Sequence, residues 1–135
     1  MTPKNPSTSD SLFILQKKEK YGTIPEHLII STEKVLHWKI YIDEPGEKLV
    51  DVSYSFQNKK SNSFIEIKAA GEVLNQQIEN TGKTVGEPNS DWVIDNYKAK
   101  RLGKILFPKR GIYDLEMKIS PGNNEEVNFQ WIWLK

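Results

Sequence analysis

The chain has 135 residues, 19 basic against 18 acidic, and a formal net charge of +1, so it has room for one core and lacks the global field that draws in nucleic acid or an anionic membrane. The absence of cysteine excludes disulfides, thiolate metal sites and thiol nucleophiles together. No run approaches the ~20 apolar residues of a membrane helix, and no apolar signal-peptide core stands near the start, so neither membrane nor nucleic acid is an expected partner.

Residues 1–10 are polar and rich in Pro and Ser, which reads as a linker ahead of a single domain over residues 11–135. Such a start leads us to expect a module of a longer secreted protein. Short apolar runs follow at Leu12 to Leu15 and Leu28 to Ile30, set off by Gly22 and Pro25. Leu36, Trp38, Ile40 and Ile42 then alternate against His37, Lys39 and Tyr41, and the run stops at Asp43-Glu44-Pro45-Gly46, a turn. Val50, Val52, Tyr54 and Phe56 alternate against Asp51, Ser53 and Ser55. A hairpin is expected between Phe64 to Ala69 and Val73 to Ile78, around Ala70-Gly71-Glu72.

Asn80 to Asn96 forms a long polar connection, the kind of loop on which function concentrates, before a run ending at Phe107. In the next run Tyr113, Leu115, Met117 and Ile119 share one face and Asp114, Glu116 and Lys118 the other. Pro121-Gly122-Asn123-Asn124 then reads as a hairpin turn leading to Val127 to Leu134. With about eight or nine such strands and no helix of useful length, the fold class is all-β, a two-sheet antiparallel β-sandwich. Trp38, Ile40, Val52, Tyr54, Ile65, Ile67, Ile105, Phe107, Tyr113, Leu115 and Met117 are expected to supply the inner faces.

No catalytic, metal or cofactor site emerges. Gly82-Lys83-Thr84 resembles the tail of a phosphate loop, yet Gln77 stands where that loop needs its first glycine. His27 and His37 lack metal-ligand spacing, and Asp91 with Asp95 lacks a partner placed across a cleft. Glu125 and Glu126 follow the last turn and read as solvent-facing charges, while Asn123, Asn124 and Glu125 lack the acidic repeat of a calcium loop. Lys98, Lys100, Arg101, Lys104, Lys109 and Arg110, interleaved with Tyr97 and Phe107, read as a solvated face and a hairpin tip rather than a nucleic-acid stripe.

The aromatic residues carry the functional reading. Strict alternation puts Phe129, Trp131 and Trp133 on one face of the last strand, with Gln130, Ile132 and Leu134 on the other. Both faces then carry apolar surface, so the aromatic row is either packed inside or an exposed patch, one that stacks sugar rings or docks a second domain. Trp92 and Tyr97, beside the long loop, suit a stacked sugar better.

Trp38-Lys39-Ile40-Tyr41-Ile42, Pro45-Gly46, Thr81-Gly82, Leu102-Gly103-Lys104-Ile105-Leu106-Phe107, Gly111-Ile112-Tyr113-Asp114-Leu115 and the terminal Trp131-Ile132-Trp133-Leu134 together resemble the C-terminal β-sandwich of alpha-L-fucosidases. The likeness covers roughly residues 33 to 135 and implies a galactose-binding-like jelly roll of the carbohydrate-binding-module type. It implies a non-catalytic accessory module of a carbohydrate-active enzyme, secreted or periplasmic, whose partners are a carbohydrate or the catalytic domain of the same chain. The alternative is a docking sandwich, without sugar affinity, for a protein partner or neighbouring domain.

Overall fold

The computed structural model describes residues 27–82 and 97–135 in full, and the backbone of residues 14–15, 18–19 and 22–23. The linker expected over residues 1–10 lies outside them. The elements are β1 (Ile14–Leu15), β2 (Lys18–Glu19), β3 (Gly22–Thr23), β4 (His27–Ile30), β5 (Lys34–Ile42), β6 (Gly46–Ser55), β7 (Phe64–Ala69), β8 (Glu72–Gln77), β9 (Lys98–Phe107), β10 (Gly111–Ser120) and β11 (Val127–Leu134). No helix occurs among the described residues.

One sheet runs β1-β4-β11-β6-β9 and the other β5-β10-β7-β8, with β2 and β3 paired separately. Counted from β4, the order is first-eighth-third-sixth against second-seventh-fourth-fifth, the two Greek keys of a jelly roll. Of the long strands only β7 and β8 are joined by a hairpin, with positive φ at both Ala70 (52°) and Gly71 (76°) as a tight hairpin turn requires. The hairpin expected at Pro121 to Asn124 is instead a corner: β10 and β11 belong to different sheets, because each buries its apolar face from the opposite side of the core.

That core follows the period of two. Leu36, Trp38 and Ile42 are buried with Ile40 packed against them, while Lys39 points out and pairs with Asp114 of β10 at 3.0 Å. The other expected inner residues are buried, except Tyr113, which packs partly exposed against Phe107 at 4.9 Å between rings. Just after β8, Thr81 closes one end: its backbone N donates to Phe56 O at 2.9 Å, and its Oγ1 accepts from Phe56 N at 3.0 Å.

Two strands break the period. In β11, Asn128 and Phe129 face Ser55 and Tyr54, but Trp131, Ile132, Trp133 and Leu134 face Ser53, Val52, Asp51 and Val50, so Gln130 is an extra residue, a β-bulge. Phe129 therefore does not share a face with Trp131 and Trp133, as strict alternation predicts. It is fully buried, its ring 6.1 Å from Trp38 across the sandwich, and past the bulge Ile132 and Leu134 take over the inner face. One inserted residue inverts the pattern. In β9, Leu102 is the corresponding insertion between Arg101, facing Asp51, and Gly103, facing Val50. Gly103 has φ +147°, and a Cβ there would come within 3.2 Å of the Leu74 side chain.

Candidate functional site

The bulges stand on the two strands flanking β6, and between them they assemble a rung on the outer face of the five-stranded sheet. Trp133, Asp51 and Arg101 lie side by side across β11, β6 and β9, and Trp131 lies beside Ser53 on the next outward rung. Trp133 is 57% exposed, and the two indoles meet edge to face with centroids 5.7 Å apart. Trp131 is half-buried, so Trp133 presents the larger apolar area to solvent. The ammonium of Lys135 sits 4.8 Å from the centre of its ring.

Asp51 organises the polar part. Arg101 donates through Nε to Oδ1 at 2.9 Å and through Nη2 to Oδ2 at 3.2 Å, and Lys135 Nζ reaches Oδ2 at 3.4 Å. The Arg101 hydrogen bonds hold the Asp51 carboxyl below its ordinary range against the opposing effect of burial, with Lys135 adding to the pull. Arg101 is raised in turn by the same contact. On the next rung Ser53 Oγ donates to Gln130 Oε1 at 2.7 Å, which ties down the bulge beside Trp131.

Beyond Trp133 an open cleft separates the ends of β5 and β11. Tyr41, Asp43, Glu44, Lys48, Trp133 and Lys135 are among its lining residues. Tyr41 is itself exposed, so two aromatic side chains border the cleft.

The residues singled out from the sequence fall in different places. Trp92 lies outside the described residues, as do Asp91, Asp95 and most of the loop from Asn80 to Asn96. Tyr97 is half-buried and its ring lies 6.3 Å from that of His27 on β4. That contact bridges β9 to β4 over the intervening β6 and β11, where Ser55 and Asn128 are buried although they face outward. Phe129 belongs to the core. Trp131 and Trp133 remain together, joined by Asp51, Arg101, Lys135, Ser53 and Gln130, which sequence reasoning did not select. A signal was present: Asp51, Ser53 and Ser55 are small polar residues along one strand face, unlike the long charged side chains of β10, and small residues suit a face that something covers.

Several other features have structural explanations. Glu125 is buried rather than solvent-facing: its carboxylate accepts from Asn62 N at 2.9 Å and from Ser63 Oγ at 2.6 Å, and Ser63 Oγ accepts from Gly122 N at 3.0 Å, so it ties the corner between β10 and β11 to the start of β7. His27 and His37 stand on different sheets, and no group of three or more metal-ligating side chains occurs among the described residues. Lys100, Arg101, Lys104 and Arg110 pair with Glu79, Asp51, Glu47 and Asp43, which neutralises much of the basic segment. Gly82 N donates to Asn80 Oδ1 at 2.8 Å, a local turn, while Lys83 and Thr84 lie outside the described residues.

Comparison with solved structures shows a fold like that of carbohydrate-binding-module β-sandwiches. The family 6 carbohydrate-binding module of Cellvibrio mixtus lichenase 5A, in complex with cellotriose, aligns over 100% of this chain and 94% of its own with a TM-score of 0.68 at 15% identity. A β-1,3-glucan-binding module of the same family from Bacillus halodurans aligns over 100% and 93% with a TM-score of 0.65 at 13% identity. The mosquito-larvicidal Cry4Aa toxin from Bacillus thuringiensis gives a TM-score of 0.67 at 12% identity over 95% of this chain but 21% of the toxin. The chain thus spans nearly all of the isolated modules and about a fifth of the toxins it matches. No family model and no curated protein matches the sequence.

Proposed function

We propose that this chain is a non-catalytic carbohydrate-binding module, and that saccharide stacks on Trp133 at the outer face of the five-stranded sheet. The observation that carries this reading is an exposed indole set beside fixed polar groups. A pyranose offers apolar C–H on one face and hydroxyls at its rim, so it pairs with a flat ring flanked by hydrogen-bonding side chains. Sugars named with the structural neighbours, cellotriose and β-1,3-glucan, support a glycan as the ligand class. The resemblance of residues 33 to 135 to fucosidase C-terminal sandwiches extends the proposal to an accessory role beside a glycoside hydrolase domain.

The test is a tryptophan-fluorescence titration with soluble oligosaccharides up to millimolar concentration, where binding is worth only about 4 kcal/mol. Wild type should show a saturable change that Trp133→Ala removes. Trp38 is buried in the core and gives a constant background. Trp92→Ala and Tyr97→Ala test the other proposed location, beside the long loop. A chain silent toward a broad glycan panel would overturn the sugar reading and leave docking of a protein or domain as the use of this face.

A further inference from the structure

The outer-face rung has an unequal supply of hydrogen-bonding groups. Both carboxylate oxygens of Asp51 are occupied, Oδ1 by Arg101 and Oδ2 by Arg101 and Lys135. Two cations therefore share one anion. Arg101 engages Asp51 through Nε and Nη2, which leaves its Nη1 hydrogens and the second Nη2 hydrogen directed elsewhere, and its side chain is 52% exposed. Lys135, whose side chain is 46% exposed, keeps donors beyond its contact with Asp51. On the next rung the Gln130 oxygen is taken by Ser53, and its amide hydrogens remain. Around the two indoles, the side-chain groups left to meet a ligand are donors, two of them on the cations Arg101 and Lys135.

A neutral saccharide presents hydroxyls that both give and accept, and it gains most from a site offering both. A carboxylate or sulfate ester only accepts and carries the charge opposite to that of Arg101 and the Lys135 ammonium, so it matches a surface of charged donors. We infer that the Trp133 site selects acidic saccharides, the sugar ring stacking on the indole while its carboxylate or sulfate oxygens take the spare hydrogens of Arg101 and Lys135. This rests on the saccharide reading above and adds a ligand class to it. Asp43 and Glu44 line the cleft on the other side of Trp133, and Arg110 pairs with Asp43, so the acidic group is assigned to the Arg101 side and not to the cleft.

The experiment compares, on the whole chain, a short oligogalacturonate with its methyl ester, which has the same rings without the charge. A sulfated galactan oligosaccharide of similar length serves as the second acidic probe, and polyglutamate as an acidic polymer without sugar. At low salt an acidic saccharide should bind about tenfold more tightly than the ester, as expected for one charge-assisted hydrogen bond gained. The gap should close as ionic strength rises, because these groups are half in water. Lys135→Met, which keeps the Arg101–Asp51 pair, and Arg101→Gln should each narrow it. Whichever acidic probe shows the larger gap identifies the carboxylate or the sulfate as the group recognised. Equal affinity for acid and ester, with both lost in Trp133→Ala, would overturn this inference and leave the saccharide reading standing. Polyglutamate competing as well as oligogalacturonate would also overturn it, since any polyanion would then do. If no saccharide binds, acidic or neutral, the saccharide reading itself fails.

Discussion

The outer faces of the two sheets stand on the same strand geometry and carry opposite chemistry. On the four-stranded sheet, β10 places Asp114 beside Lys39, Glu116 between His37 and Lys68, and Lys118 between Val35 and Glu66. The result is a ladder of mostly charged side chains across the middle of the sheet, in which an exposed pair such as Lys39–Asp114 is worth little to stability. On the five-stranded sheet, β6 presents Asp51, Ser53 and Ser55, all buried, between strands that offer tryptophans on one side and Arg101 on the other. The middle of one face is built from long charged side chains, with exposed Tyr41 and Ile112 at one end; the other is built from short side chains and anchors and leaves an indole uncovered. The difference comes from the short polar residues that alternation turns outward on β6 and from two inserted residues, Gln130 and Leu102, that bring Trp131, Trp133 and Arg101 to the same face.

Ile132→Asp should have the largest effect on that contrast, because the bulge at Gln130 turns this side chain into the core, where a carboxylate has no partner. A loss of at least ~4 kcal/mol, or no cooperative unfolding transition at all, is expected in chemical denaturation. An Ile132→Asp variant of near wild-type stability would show that β11 keeps strict alternation and points Ile132 outward. Next, Phe129→Ala should cost about 3 to 5 kcal/mol and Trp133→Ala less than ~1 kcal/mol, although the two aromatics stand four residues apart on one strand. Comparable losses would place them in the same environment.

The smallest effect sharpens the comparison of charges. Asp51→Ala removes a buried carboxylate whose partners are half in water, and about 1 to 2 kcal/mol should be lost. Asp114→Ala, on the exposed ladder, should change stability by less than ~0.5 kcal/mol. Asp51 also leaves a signature in acid. Its folded value lies below the ordinary 3.8, so the stabilisation is present above that pH and disappears as pH falls through the lower folded value. Denaturation midpoints of wild type and Asp51→Asn should therefore converge as the pH drops below about 3.8. Midpoints that stay parallel would mean that the Asp51 pair contributes nothing.

The sandwich was legible because alternation survives in β5, β6, β7 and β10, where Trp38, Tyr54, Ile67 and Leu115 fall inward as the pattern requires. Pairing order was less legible, since a short polar turn such as Pro121 to Asn124 reads the same whether it joins neighbours or crosses between sheets. The aromatic site was half legible. Trp131 and Trp133 stand out by size, yet the residue that sets their direction, Gln130, is an unremarkable polar residue. The inward positions Val127, Phe129, Ile132 and Leu134 change spacing once, from two to three, and that single step is all the trace a bulge leaves. Asp51 and Arg101 are 50 positions apart, so only the paired strands bring them together. Glu125 likewise looked like a surface charge because its partners, Asn62 and Ser63, come from a distant turn.

The scarcity of hairpins among the long strands bears on how the chain reaches this state. From β4 to β11 every lateral pairing except β7 with β8 joins strands that are not consecutive, and β4 meets β11 only after the whole intervening chain has been laid down. Loop-closure entropy must be spent before such contacts return anything, which sets the pace of acquisition of the native topology at milliseconds to seconds, on the scale of all-β sandwiches. The turn at Ala70 and Gly71 is then the one place among these strands where neighbours can zip locally, and the early kinetics should be sensitive to it while remaining indifferent to the charges of the exposed ladder.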